Sequence, residues 1–205
     1  MAEKISKTDK RREELRLRLI EIAEARIAGE GLASVKARDL AKEADCAVGA
    51  IYNVFTDLNG LVMAVNGRTF RKLGAYVSET VAARDHARAQ DQLITMSLAY
   101  LHFAESNTNL WRALFDLEMS TEMDVPHWYL AELGKLFAQI SAPIARIFPD
   151  WSHERVDLMT RTLFSSVHGI VLLGLQRRIS GVPLDRIEAM IALLLSNVTS
   201  QAENP

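Results

Sequence analysis

A single cysteine, Cys46, leaves the chain without an intramolecular disulfide and fits a reducing compartment. Prolines (5) and glycines (10) are few among 205 residues, so little interrupts regular structure and long helices are favoured. Neither sign of charge is in excess: Lys and Arg total 24 against 26 Asp and Glu, so bulk charge names no partner. A local surplus lies near the start, where Lys4, Lys7, Lys10, Arg11, Arg12, Arg16 and Arg18 outnumber Glu3, Asp9, Glu13 and Glu14. Such an arm can seek phosphates or simply be solvated. No apolar core follows it, and no apolar run reads as long enough to span a bilayer. The expectation is a soluble, cytoplasmic protein with no membrane partner.

Strand-like alternation is missing as well. Apolar residues recur at helical spacing from end to end, which predicts an all-α fold of about nine helices. Leu15, Leu19, Ile22, Ala23 and Ile27 make a first stripe, closed by the glycines at 29 and 31. Ser34 is placed to cap a short second helix that turns Leu40, Ala41 and Ala44 inward, and a third short helix runs to about Phe55. Asp57 starts a long fourth helix to about Ala83, with Leu61, Val65, Leu73, Tyr76 and Val77 on one side. Further helices are expected from about His86 to Ser106, from Leu110 to Met119, and from Pro126 to a kink or stop at Pro143. A long one from Asp150 or Ser152 to about Ile179 carries Val156, Met159, Leu163, Val167, Ile170 and Gly174 on one face. The last aligns Ile187, Met190, Ile191, Leu194 and Val198.

Patterns for catalysis and metal binding are missing too. His102, His127, His153 and His168 are scattered without zinc-site spacing. No glycine-rich phosphate loop follows a strand, and no Ser-His-Asp set or carboxylate pair stands out. A non-enzyme without metal or cofactor is expected. Cys46 reads as a small apolar filler in preference to a redox switch. The tryptophans gather late: Trp111, Trp128 and Trp151, with Phe103, Phe115, Met119, Tyr129 and Phe137 nearby. Trp111, Phe115 and Met119 recur every four residues, and ordinary core is a sufficient reading of each.

Residues 31–55 read GLASVKARDLAKEADCAVGAIYNVF. Two short helices joined by three or four residues are the pattern of a helix-turn-helix. The crossing wants a small residue, here Ala41, and the turn wants one that tolerates a left-handed backbone, here Asp45. Ile51 and Phe55, four apart, point together into the core, which leaves Val48, Gly49, Tyr52 and Asn53 outside. A glycine inside a helix costs about 1 kcal/mol against alanine. Gly49 therefore implies close approach, either of another molecule such as DNA or of the chain's own packing.

Gly31, the run Arg38, Asp39, Leu40, Ala41, then Gly49, Tyr52 and Phe55, followed by Leu61 and Val62, resemble the N-terminal DNA-binding domain of the TetR family. Helix number and chain length fit that architecture over the whole chain. The resemblance implies a three-helix DNA-binding domain over about 10–70 and a ligand-binding and dimerisation domain over 71–205. It implies DNA contacts from Lys36, Arg38, Ala47, Val48, Gly49, Ala50, Tyr52 and Asn53. Arg38 suits a guanine edge, Asn53 an adenine or a phosphate, and Ala47, Val48 and Ala50 thymine methyls. The chain departs from the family pattern at five positions, the first being Ala47, which stands for the serine or threonine that usually starts the recognition helix. Ala50 stands for its threonine, Leu58 for its lysine, Lys36 for the threonine that opens the second helix, and Asp45 for its turn glycine. Ala47, Ala50 and Leu58, where family contacts are missing, support a second reading, a helical small-molecule-binding or protein-interaction module with decayed DNA binding.

In TetR-like proteins the region after the first hundred residues encloses an effector pocket. The resemblance thus nominates His102, Phe103, Trp111, Arg112, Phe115, Met119, Trp128, Tyr129 and His168 for ligand binding. Residues 165–175, SSVHGIVLLGL, resemble a His-Gly segment of one class of TetR C-terminal domains, with Gly169 and Gly174 allowing close helix approach. Together these imply a homodimer paired through its last two long helices, a repressor of operator DNA released by a small apolar or amphipathic effector.

Overall fold

The computed structural model describes residues 6–84, 88–117, 125–176 and 182–200, and their regular structure is helical throughout. Ser6 opens α1 (Lys7–Glu30), its Oγ accepting from the N–H groups of Thr8 and Asp9. Gly31 closes it at φ +83°, a backbone that side chains disfavour, and returns its N–H to the Ile27 carbonyl. A 3₁₀ turn, Leu32–Ser34, leads to α2 (Ala37–Glu43) and α3 (Val48–Tyr52). Ser34 is not the predicted cap. The turn after Gly31 takes it up first, its hydroxyl donating back to the Gly31 carbonyl at 2.7 Å, and Lys36 holds the N-cap position of α2.

Six helices complete the described order: α4 (Leu58–Ala82), α5 (Ala89–Ser106), α6 (Thr108–Asp116), α7 (His127–Ile147), α8 (His153–Leu175) and α9 (Leu184–Ser200). The expected starts at Asp57 and Ser152 are observed. Asp57 Oδ1 accepts from Gly60 N–H at 2.7 Å, and Ser152 Oγ from Arg155 N–H at 3.3 Å. His86, Met119 and Ile179, assigned to helices from the sequence, lie outside the described residues.

The chain divides into two units, Met1–Thr69 with Asn107–Val125, and Phe70–Ser106 with Pro126–Pro205. Helix α4 continues in sequence from the first into the second. Sequence order places helix α6 in the later part, but it packs on α1 and belongs to the first unit. Asn109 Nδ2 there donates to the Ala28 carbonyl at 3.0 Å, and the buried Asn66 Nδ2 to the Ala113 carbonyl at 2.9 Å. The core of this unit joins Leu19, Ala23 and Ile27 of α1 to Leu40, Ala41, Ile51, Phe55, Leu61, Val65, Leu110 and Ala113. Each fully buried aliphatic side chain contributes roughly 1.5–3 kcal/mol. This burial holds α3 in place, since five residues are too few for a helix to persist alone.

In the second unit α5 packs on α7, α8 and α9, and α8 also on α7 and α9. Gly174 permits the α8–α9 approach, because a Cβ there would come within 2.5 Å of Ile187 Cδ1. Pro143 does not end α7. The helix runs through it, and the ring is buried. The inward stripe of α9 is Ile187, Ile191, Leu195 and Thr199, at strict four-residue spacing. Met190, placed in that stripe from the sequence, sits at its i+3 margin and is left exposed. Phe148 stacks on Trp151 at 3.8 Å, and the Arg155 guanidinium lies 4.1 Å from the Trp151 ring, which fastens the α7–α8 turn.

One sequence expectation is overturned here. Among the described residues α8 is long and apolar enough, by length and composition, to cross a bilayer. Arg161 and His168 interrupt the run in the sequence. Only 22% of that apolar window is fully buried within the chain, and Leu158 and Leu173 on it are exposed.

Candidate functional site

The turn between α2 and α3 is built from backbone bonds around one left-handed residue. Asp45, at φ +50°, is the only described non-glycine with positive φ, as the turn chemistry predicted. Cys46 N–H returns to the Ala41 carbonyl at 2.9 Å and Asp45 N–H to Lys42 at 3.3 Å. This paired closure is the Schellman arrangement, with aspartate standing where glycine is usual. Cys46 packs partly buried against the core, in keeping with its reading as filler.

Helix α3 turns Ile51 and Phe55 inward and keeps the other side open. Ala47, Val48, Gly49, Tyr52 and Asn53 are exposed, as are Lys36 and Arg38 at the start of α2; Ala50 is half-buried. An added Cβ at Gly49 meets nothing within 4 Å, so the chain's own packing does not require this glycine. Lys7, Lys10, Arg11 and Arg12 are exposed along the first turns of α1.

Three other arginines of α1 face the helix-turn-helix. Arg18 Nη1 donates to the Ala44 carbonyl at the end of α2 at 3.2 Å. The Arg16 guanidinium lies 5.5 Å from the ring centre of Phe55, just beyond α3. Arg26 donates to the Ser34 carbonyl at 2.9 Å and pairs with Glu43 at 2.6 Å. Charge counting along the sequence grouped Arg16 and Arg18 with the basic arm. Their positioning contacts lie too far away in sequence for local spacing to reveal.

The ligand-binding residues nominated from the sequence fall in both units. Trp111, Arg112 and Phe115 belong to the first, where Trp111 is 1% exposed and meets Phe115 edge-on at 5.7 Å, while Arg112 is exposed. The second unit holds the others, apart from Met119, which lies outside the described residues. Tyr129 meets Phe70 at 5.4 Å and the half-exposed Trp128 at 5.6 Å. Phe103 lies 6.1 Å from Tyr76, and His102 Nε2 is 2.7 Å from Glu188 Oε1 of α9.

His168 sits in a polar–aromatic group. Its Nδ1 is 2.8 Å from the Tyr100 hydroxyl, and its ring stacks on Phe164 at 5.7 Å, with Phe137 next in line 5.2 Å from Phe164. Sequence reading missed Tyr100 and Phe164. The four-residue step from Phe164 to His168 is a local signal, whereas Tyr100 lies 68 residues away on α5. Burial pushes the His168 imidazole below the usual histidine range. The unfolded chain therefore takes up its proton first as the pH falls, and stability is lost from about pH 6.5 down to the lowered folded value. Thermal melting of His168→Gln should lose less between neutral and mildly acidic pH than wild type does; equal losses would assign the acid sensitivity to other groups.

Among the described residues no three His, Cys, Asp or Glu side chains are grouped to hold a metal ion. The family profile described as "Tetracyclin repressor-like, C-terminal domain" matches residues 93–198. No curated protein matches the chain by sequence. Among solved structures, a protein of unknown function from Rhodococcus sp. RHA1 is similar at a TM-score of 0.71 and 19% identity, over 90% of this chain and 94% of that one. FadR from Bacillus subtilis, in complex with stearoyl-CoA, is similar at a TM-score of 0.67 and 15% identity, over 87% and 96%. RolR in complex with resorcinol gives 0.65 and 19%, over 96% of both chains. At such identities the likeness is one of fold.

Proposed function

We propose a ligand-responsive repressor, starting from one plain fact: this chain belongs to the TetR family of transcriptional regulators. The observation that carries the proposal is the open face of α3, on a fully bonded turn, with Lys36 and Arg38 exposed beside it and four cations exposed along α1. That combination suits a helix entering the major groove while flanking cations hold the phosphates. The test is binding to duplex DNA from the region flanking its own gene, measured across a salt series. Lys36→Ala should weaken operator and scrambled duplex alike and lower the salt slope by about 1, the signature of one lost phosphate contact. If wild type shows no salt-dependent binding, a helical binding module with decayed DNA contacts is the better reading.

For the effector, the group of Tyr100, Phe137, Phe164 and His168 in the second unit is the best-supported part of a binding site. It combines aromatic surface with a few polar atoms, the usual composition of small-molecule pockets. Two structures of similar fold hold stearoyl-CoA and resorcinol, which favours a small-molecule effector for this chain too. Trp128 and Tyr129 are further candidates; His102, already paired with Glu188 on α9, is a weaker one.

The second copy of the chain belongs on α8 and α9. Leu158, Thr162, Gly169 and Leu173 share one side of α8, and Met190 and Leu193 one side of α9. Leu158, Leu173 and Leu193 are about two-thirds exposed, at 66%, 69% and 65%. A Cβ at Gly169 would meet nothing within 4 Å, which leaves room for a partner helix. Two copies joined this way present two recognition helices, and binding requires their separation to match the half-site spacing. Effector binding then favours a state with the wrong separation, passed along α4, which continues from the second unit into the first. A cytoplasmic setting suits this role.

A further inference from the structure

The exposed side of α3 is nearly bare of hydrogen-bonding side chains. We propose that it selects operator DNA through the C5-methyl groups of thymine, an inference that rests on the DNA-binding reading above and names the chemistry by which that same surface chooses its site. Between Ala44 and Phe55 the only charged side chain is Asp45, and its left-handed backbone is committed to the turn. Ala47 and Gly49 expose no polar side-chain atom, and Val48 presents its two methyl groups at 39% exposure. Tyr52, 48% exposed, and Asn53 bring the first polar groups, both at the C-terminal end of the helix.

The major groove offers three kinds of feature to such a surface: acceptors, donors and the thymine methyl. Polar base edges brought against Ala47, Val48 and Gly49 would lose their water and gain no side-chain partner. The thymine methyl is the one feature of the four base pairs that gains from an apolar neighbour. Gly49 fits the same picture. A glycine inside a helix weakens it, and no intrachain neighbour occupies the space where its side chain would be. Empty space at that position lets the helix backbone come close to a base edge. Non-selective attraction comes from Lys36 and the exposed cations of α1, so sequence choice is left to the α3 surface and, outside it, to Arg38 at the start of α2, which suits a guanine edge.

The probe is a duplex enriched by the full-length protein from a random pool, prepared with thymine or with uracil at the enriched A·T positions. Uracil removes the methyl and leaves every Watson–Crick and groove hydrogen-bonding atom in place. Expected is a loss of about fourfold for each contacted methyl, the effect of re-exposing one such group, with an unchanged salt slope. Val48→Ser, at an exposed position, should fold as wild type does by melting and should lose the thymine-over-uracil preference at one position per half-site. Equal affinity for the thymine and uracil duplexes would overturn the methyl readout while leaving DNA binding in place. A pool from which nothing is enriched would overturn the DNA-binding reading and the methyl readout together.

Discussion

An aspartate in place of Leu193 is expected to convert the protein from dimer to monomer or aggregate at micromolar concentration while leaving the protomer's own packing untouched. Leu193 is 65% exposed on α9, beside the exposed Met190, and the helix turns Ile191 and Leu195 inward instead. The substitution therefore removes no intrachain contact of consequence. In a two-fold pairing each copy buries the same patch, so one substitution places two carboxylates in the interface. An uncompensated buried charge costs about 3–5 kcal/mol, and each 1.4 kcal/mol is tenfold in affinity, so even one of the two carboxylates should weaken the dimer from roughly a hundredfold to several thousandfold. Sedimentation across a dilution series reads the outcome directly. Leu194 is the poorer choice, because it is half-buried within the chain and a charge there would disturb the protomer as well. An unchanged dimer for Leu193→Asp would move the interface off α8 and α9.

The difference between Leu193 and Leu194 illustrates where sequence reading stops. Periodicity put an apolar face on α9, but a stripe wide enough for two partners does not say which edge meets the chain and which meets another copy. Met190 falls in the inward stripe by spacing yet lies outside, whereas Leu195 is 1% exposed. Turn chemistry was more legible. Asp45 in a left-handed turn and Ile51 with Phe55 in the core follow from local geometry, since a short turn between crossing helices leaves few options. Ser34 misled because a serine before a helix satisfies the capping pattern whether it caps the helix or closes the turn before it. The bridge between Tyr100 and His168 had no local signal that joined them. The placement of α6 with the first unit likewise depends on Asn109 and Ala113 finding partners far away in sequence. Long-range contacts of this kind set the composition of a candidate site, and composition and spacing leave them open.

Trp111 brings that ambiguity to a measurable point. The sequence allows it as pocket wall or as core, and its 1% exposure on α6, among the buried Leu110, Ala113 and Leu114, favours core. Truncating a fully buried tryptophan removes its transfer free energy and leaves a cavity that the surroundings fill only in part, which costs about 3–5 kcal/mol. Against a typical stability of about 5–15 kcal/mol, Trp111→Ala should be the most destabilising single change suggested by this fold, with the urea midpoint falling accordingly and the slope unchanged. Trp111→Phe should recover most of the loss, because the ring still fills much of the space and keeps an edge-on contact with Phe115, now 5.7 Å away. The alternative has a distinct signature. A Trp111→Ala protein with a wild-type urea midpoint, unaltered DNA affinity and a shifted effector response would make Trp111 part of the ligand site. Coupling between the two sites would then reach into α6.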